Sequence, residues 1–136
     1  LTPLFVDSAY VIALINERDR YHVQAKRLAR LYRDRALIIS EGVLLEIGNA
    51  LAGRFRLKAA QVIEQMLGSS QVEVVYTSPR LLTLAIALYK QMDDKQWGLV
   101  DCISFVITRE RGVTEALTSD HHFVQAGFRV LFSTQG

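Results

Sequence analysis

The chain has 136 residues, half of them hydrophobic and 22% charged, with only two prolines. That is enough for one domain with a real core, too little for two, and too apolar for a disordered chain. A net charge of +2 selects no partner, and the lone Cys102 excludes an intrachain disulfide and a cysteine-built zinc site. We therefore expect a single domain over 1–136 in a reducing, cytoplasmic setting. The longest apolar stretch, 81–89, is broken by Thr83 and is far shorter than the roughly 20 residues of a membrane span. The opening Leu-Thr-Pro-Leu-Phe-Val-Asp has no basic segment before its apolar run, so it does not read as a signal peptide. Lacking a Met, it reads as a trimmed start.

Short β-rich runs alternate with helical stretches. Leu4–Val6 is apolar enough for a buried strand, and Ser8 can cap a helix over 9–15. Tyr21, Ala25, Leu28 and Tyr32 fall at helical spacing within 21–34. A second strand is expected at 36–39, followed by Ser40 as the cap of a helix over 41–55. Another helix, 57–67, ends at Gly68. Strand 72–76 precedes Thr77-Ser78-Pro79, which starts a helix running to about Asp93. Helix 100–111 stops at Gly112. A strand at 115–118, a short helix at 121–126 and a strand at 129–132 complete the chain. Strands separated by helices predict a parallel sheet with helices on both faces. In such sheets reactive groups gather beyond the carboxyl ends of the strands.

Most of the fourteen acids have ordinary explanations. Glu17, Asp19, Asp34, Glu64, Glu73, Glu110 and Glu115 lie in polar surroundings or at helix ends, Glu41 suits the start of a helix dipole, and Asp93 and Asp94 lie in a polar loop. Four acids remain. Asp7 follows the first strand, where it can cap a helix or project into a cleft. Glu46 sits at the edge of a stripe formed by Val43, Ile47, Ala50 and Leu51, beside small residues. Asp101 interrupts the apolar run Leu99-Val100-Asp101-Cys102-Ile103-Ser104-Phe105-Val106-Ile107, where a carboxylate is costly unless capped, paired or metal-bound. Asp120 follows the 115–118 strand as Asp7 follows the first. Hard divalent cations choose such oxygen ligands, and they relieve the repulsion that a carboxylate cluster otherwise suffers.

Other reactive types compete poorly. His22, His121 and His122 lack the spacing of a helical zinc pair, although His121 and His122 adjoin Asp120 and can reach a substrate there. Cys102 and Trp97 read as packing residues, and no glycine-rich phosphate loop is present. Lys26, Arg27, Arg30 and Arg33 share one helix, and Arg54, Arg56 and Lys58 cluster; both sets can hold phosphates, and both fit a solvated face.

Val6-Asp7-Ser8, Leu44-Leu45-Glu46-Ile47-Gly48-Asn49-Ala50-Leu51, the run from Leu99 to Phe105, and Leu117-Thr118-Ser119-Asp120-His121-His122-Phe123 together resemble the PIN-domain family, in order over nearly the whole chain. Among its members the VapC-like toxin ribonucleases are the most similar. The resemblance implies a three-layer α/β/α sandwich around a parallel sheet of about five strands in the order 3-2-1-4-5. It implies Mg²⁺ or Mn²⁺ held by Asp7, Glu46, Asp101 and Asp120, and hydrolysis of single-stranded RNA. It also implies an antitoxin partner and homodimers, neither of which the sequence itself displays.

On that reading the four acids are the candidate catalytic and metal-binding residues. Ser8, Ser104 and Thr108 would support them by hydrogen bonds, and Arg54, Arg56 and Lys58 would guide the RNA backbone. A catalytically silent module that binds RNA or protein is the alternative. Aspartyl phosphoryl transfer is disfavoured. A receiver domain wants an acid after the third strand, where Thr77-Ser78-Pro79 stands, and a dehalogenase-type phosphatase wants an Asp at the position of Ala9.

Overall fold

Strand β1 (Leu4–Val6) is buried at every residue, as a strand covered on both faces must be. It lies at the centre of a five-stranded parallel sheet with order β3-β2-β1-β4-β5. The structure, a computed structural model, describes residues 1–132; positions 133–136 of the expected domain lie outside the described residues. The other strands are β2 (Leu37–Ser40), β3 (Val72–Val75), β4 (Glu115–Leu117) and β5 (Arg129–Val130). Between β1 and β2 come α1 (Ser8–Ile15) and α2 (His22–Leu31), and between β2 and β3 come α3 (Glu41–Ala50) and α4 (Arg56–Gly68). Helices α5 (Pro79–Gln91) and α6 (Leu99–Arg111) lead to β4, and α7 (His121–Gln125) leads to β5. The parallel sheet with flanking helices is the one expected from the alternating runs, and the strand order is the one that the family resemblance implies.

Local chemistry sets the boundaries. The Ser40 hydroxyl accepts from Val43 N at 3.1 Å and starts α3 as expected. Ser78 does the same for Leu81 N at 3.1 Å, with Pro79 at the first helical position. Helix α6 begins at Gly98, whose N–H donates to Oδ2 of Asp101 at 3.0 Å, and ends at Gly112, whose φ of 66° is left-handed. Several boundaries shift: α2 stops at Leu31 rather than near 34, and β5 ends at Val130 rather than 132. Asp7, and not Ser8, occupies the cap position of α1, and Ser8 is the first helical residue. Helix α3 ends at Ala50, five residues before the expected end; the segment through Gly53 turns instead, and Ala50 is exposed while Leu44 joins the buried stripe.

The register brings the site together. Val6 pairs with Leu117, and Phe5 pairs with Ile38 and Ala116. The residues that follow, Asp7, Ser40 and Thr118, therefore emerge side by side at the carboxyl ends of β1, β2 and β4. Strand order switches direction at β1, which places a crevice at that end. Beneath it lies an aromatic core. Phe123 packs against Phe5 at 5.8 Å, Phe105 at 5.0 Å and Phe128 at 5.2 Å between ring centroids. Trp97 meets Phe105 edge-on at 4.8 Å. Phe5, Phe105 and Phe123 belong to β1, α6 and α7, elements that carry or adjoin singled-out acids, so packing fixes where those acids stand.

Candidate active site

Asp7 leaves β1 almost completely buried, with 5% of its surface exposed. It holds the cap position of α1, yet its side chain makes no cap hydrogen bond there. It turns toward β4 instead, where the Thr118 hydroxyl donates to its Oδ2 at 2.7 Å. Burial raises the Asp7 pKa from 3.8 to about 7; the Thr118 hydroxyl and the Ser8 amide pull it down, and the charges of Glu46 and Asp120 add to the rise.

Glu46 projects from α3 at the crevice edge and is half-buried. Desolvation pushes its pKa up, the Ser8 side chain hydrogen-bonds it and opposes that rise, and Asp101 and Asp120 reinforce it through their charges.

Asp101 is the third residue of α6. Its Oδ2 accepts from the N-cap amide, Gly98 N, at 3.0 Å and also meets Nδ1 of His122 at 3.1 Å. Burial, then the Asp120 charge, lift its pKa, while the Gly98 amide and His122 lower it. Asp120 caps α7 by accepting from His122 N at 2.9 Å, and its own N–H donates to the Thr118 hydroxyl at 2.9 Å. Thr118 therefore bridges Asp7 and the backbone of Asp120, a role that the sequence reading did not assign to it. Its position directly before Ser119-Asp120 at a strand end was the available signal.

The four carboxylates thus feel one another's charge. Elsewhere Glu17, Glu73, Asp94, Glu110 and Glu115 each pair with an arginine or lysine. Among the described residues none of the four has such a partner. The donor set is all hard oxygen with uncompensated negative charge, which fits Mg²⁺ or Mn²⁺. Among the described residues only Asp120, His121 and His122 bring three ligand atoms within 4.8 Å of one another. Among the described residues no three of the four carboxylates come that close together.

The supporting residues divide. Ser8 reaches Glu46. Ser104 is buried and lies 3.3 Å from the Ser40 hydroxyl, tying α6 to the end of β2 beneath the crevice. Thr108 spends its hydroxyl on its own helix, donating to the Ser104 and Phe105 carbonyls at 2.9 and 3.1 Å. It lies seven residues beyond Asp101, about 10 Å along the axis. Arg54, Arg56 and Lys58 are exposed around the start of α4; Arg54 pairs with Glu17 at 3.6 Å, and Arg56 donates to the Ala52 carbonyl at 2.9 Å. His22 is occupied by the Ala13 carbonyl at 2.7 Å, which joins α2 to α1. Trp97 is buried and packs as expected.

The PIN domain matches residues 4–129 of the chain. Over 125 residues the chain is 30% identical to the 23S rRNA-specific endonuclease VapC20 of Mycobacterium tuberculosis, covering 92% of this chain and 95% of that protein. The crystal structure of Mycobacterium tuberculosis VapC20, described as a sarcin-ricin loop cleaving toxin, superposes with a TM-score of 0.82 at 29% identity, over 93% of this chain and 96% of that one. The DNA-bound VapBC of Salmonella typhimurium shares the fold, with a TM-score of 0.65 at 18% identity over 96% and 97% of the two chains.

Proposed function

Because the chain belongs to the PIN-domain family, we propose that it is a divalent-metal-dependent endoribonuclease, acting in the cytosol as the toxin of a toxin–antitoxin pair. The observation that carries this reading is the convergence of Asp7, Glu46, Asp101 and Asp120 without a lysine or arginine partner. A silent binding module has no use for that arrangement, since the repulsion and desolvation cost stability and bring nothing in return. No helix among the described residues is long and apolar enough to cross a membrane.

Asp7, Asp101 and Asp120 would hold Mg²⁺ or Mn²⁺, with Glu46 completing the set. A bound ion would supply charge neutralisation at the scissile phosphate and help ionise the attacking water. The protein's own groups do the rest. Glu46, at the edge of the set, orients the attacking water and accepts its proton. Thr118 and Ser8 keep Asp7 and Glu46 aimed into the crevice, and the aromatic core keeps their elements from relaxing apart. Arg54, Arg56 and Lys58 guide the RNA backbone toward it.

The relative acts on 23S rRNA, so ribosomal RNA carrying the sarcin-ricin loop is the first substrate to offer, beside unstructured single-stranded RNA. Cleavage that needs Mg²⁺ or Mn²⁺, stops with EDTA and is lost in Asp101→Asn is the expected result. Metal-independent cleavage, or full activity in the variant, overturns the reading. Co-expression with the product of an adjacent small open reading frame tests the antitoxin. Relief of toxicity with formation of a complex is expected.

A further inference from the structure

His122 touches two of the four acids. Its Nδ1 lies 3.1 Å from Oδ2 of Asp101 and 3.5 Å from Oδ1 of Asp120. Those acids come from different elements, the first turn of α6 and the cap of α7. The ring itself is held firmly. Its backbone amide is bonded to Asp120, its side chain is only 19% exposed, and the next residue, Phe123, is fully buried in the aromatic core.

We propose that His122 is a positioning residue that aims the Asp101 and Asp120 carboxylates at one shared cation; this rests on the function proposed above. An N–H on Nδ1 directed between two carboxylates turns one oxygen of each toward the ring. Gly98 N donates to that same oxygen of Asp101, and His122 N donates to that same oxygen of Asp120. Among the described residues no hydrogen bond reaches Oδ1 of Asp101 or Oδ2 of Asp120. The donors collect on one side of each acid and leave the other oxygen for a metal. An imidazole suits this place better than a lysine would. It can donate while neutral, so it orients the carboxylates without installing a fixed cation that competes with the metal. Ligand orientation by such neighbours typically changes metal affinity or activity by about 10- to 100-fold.

The test compares wild type, His122→Ala and His122→Asn, whose amide N–H can stand close to the place of Nδ1. Mn²⁺ affinity is measured by calorimetry, and kcat and KM for RNA by cleavage. His122→Ala should bind Mn²⁺ about 10- to 100-fold more weakly and lose kcat with little change in KM. His122→Asn should recover most of both. Equal Mn²⁺ affinity in wild type and His122→Ala overturns this inference alone, whereas wild type that takes up no Mn²⁺ overturns the reading of the site as well. Since the alanine variant can lose stability, a second measurement uses wild type only. Long-range ¹H–¹⁵N spectra of the metal-free protein should show a proton on Nδ1 of His122. A ring protonated on Nε2 alone overturns the proposal.

Discussion

The Thr118 hydroxyl donates a 2.7 Å hydrogen bond to Oδ2 of Asp7, joining residues 111 positions apart. Both are buried, so the bond acts where water cannot replace it. Thr118→Val keeps the shape and removes the donor. A hydrogen bond to a charged group contributes about 1.5–3 kcal/mol, equivalent to about one to two pH units. The acidic limb of RNA cleavage, followed from pH 5 to 9, should move upward by that amount. An unmoved limb would show that the charge on Asp7 does not set it.

Asp7 also makes the metal-free fold sensitive to pH. Its pKa is about 7 in the folded chain against an ordinary 3.8. Between those values the folded state holds a proton that the unfolded state has released, so stability falls as pH rises through this window and levels off above it. At about 1.36 kcal/mol per pH unit the contribution is at most about 4 kcal/mol. Asp7→Asn should flatten urea-unfolding stability between pH 5 and 8 and raise it at pH 8. In wild type, Mn²⁺ should restore the stability lost at pH 8. Stability of the metal-free wild type that climbs with pH in this range contradicts the assignment.

Asp101→Asn should separate chemistry from folding. The amide oxygen can still accept from Gly98 N, so the start of α6 keeps that bond, and stability should change by no more than about 1 kcal/mol. Cleavage should fall at least about 100-fold, because the charge is gone from the centre proposed to hold a cation. Thermal unfolding and single-turnover cleavage on the same preparation separate the two effects.

Phe123→Ala should be the costly change. The ring is fully buried among Phe5, Phe105 and Phe128. Its loss should destabilise by about 3–5 kcal/mol, read by urea unfolding. The larger cavity should also loosen α7, so Mn²⁺ affinity should drop in whatever fraction stays folded. Phe123→Leu should recover part of both.

The basic stretch should not act uniformly. Arg54 is paired with Glu17, while among the described residues Arg56 and Lys58 have no acidic partner. Arg56→Ala and Lys58→Ala should raise KM with kcat unchanged and each reduce the salt dependence of RNA binding by about one ion. Arg54→Ala should do less. Equal effects from all three would mean that the Glu17 pair is too solvated to matter.

Much of the architecture was legible in the chain. Alternating apolar runs and helical spacing, with Ser40, Ser78, Pro79 and Gly112 as punctuation, mark the elements because capping and periodicity are local physics. The four acids stood out because each interrupts or follows an apolar run where a solvated carboxylate has no reason to be. Their directions were not legible. The sequence alone could not tell that Asp7 occupies a cap position without capping, that Thr118 and not a neighbour holds it, or that Thr108 faces its own helix. Nor could it tell that His122 turns inward between Asp101 and Asp120 while His121 faces solvent. Those outcomes depend on which strands lie side by side and on the core that anchors Phe123. Contacts between residues so far apart in the chain exist only once the sheet has set its register. The sequence determined which groups were available; tertiary packing decided which of them meet.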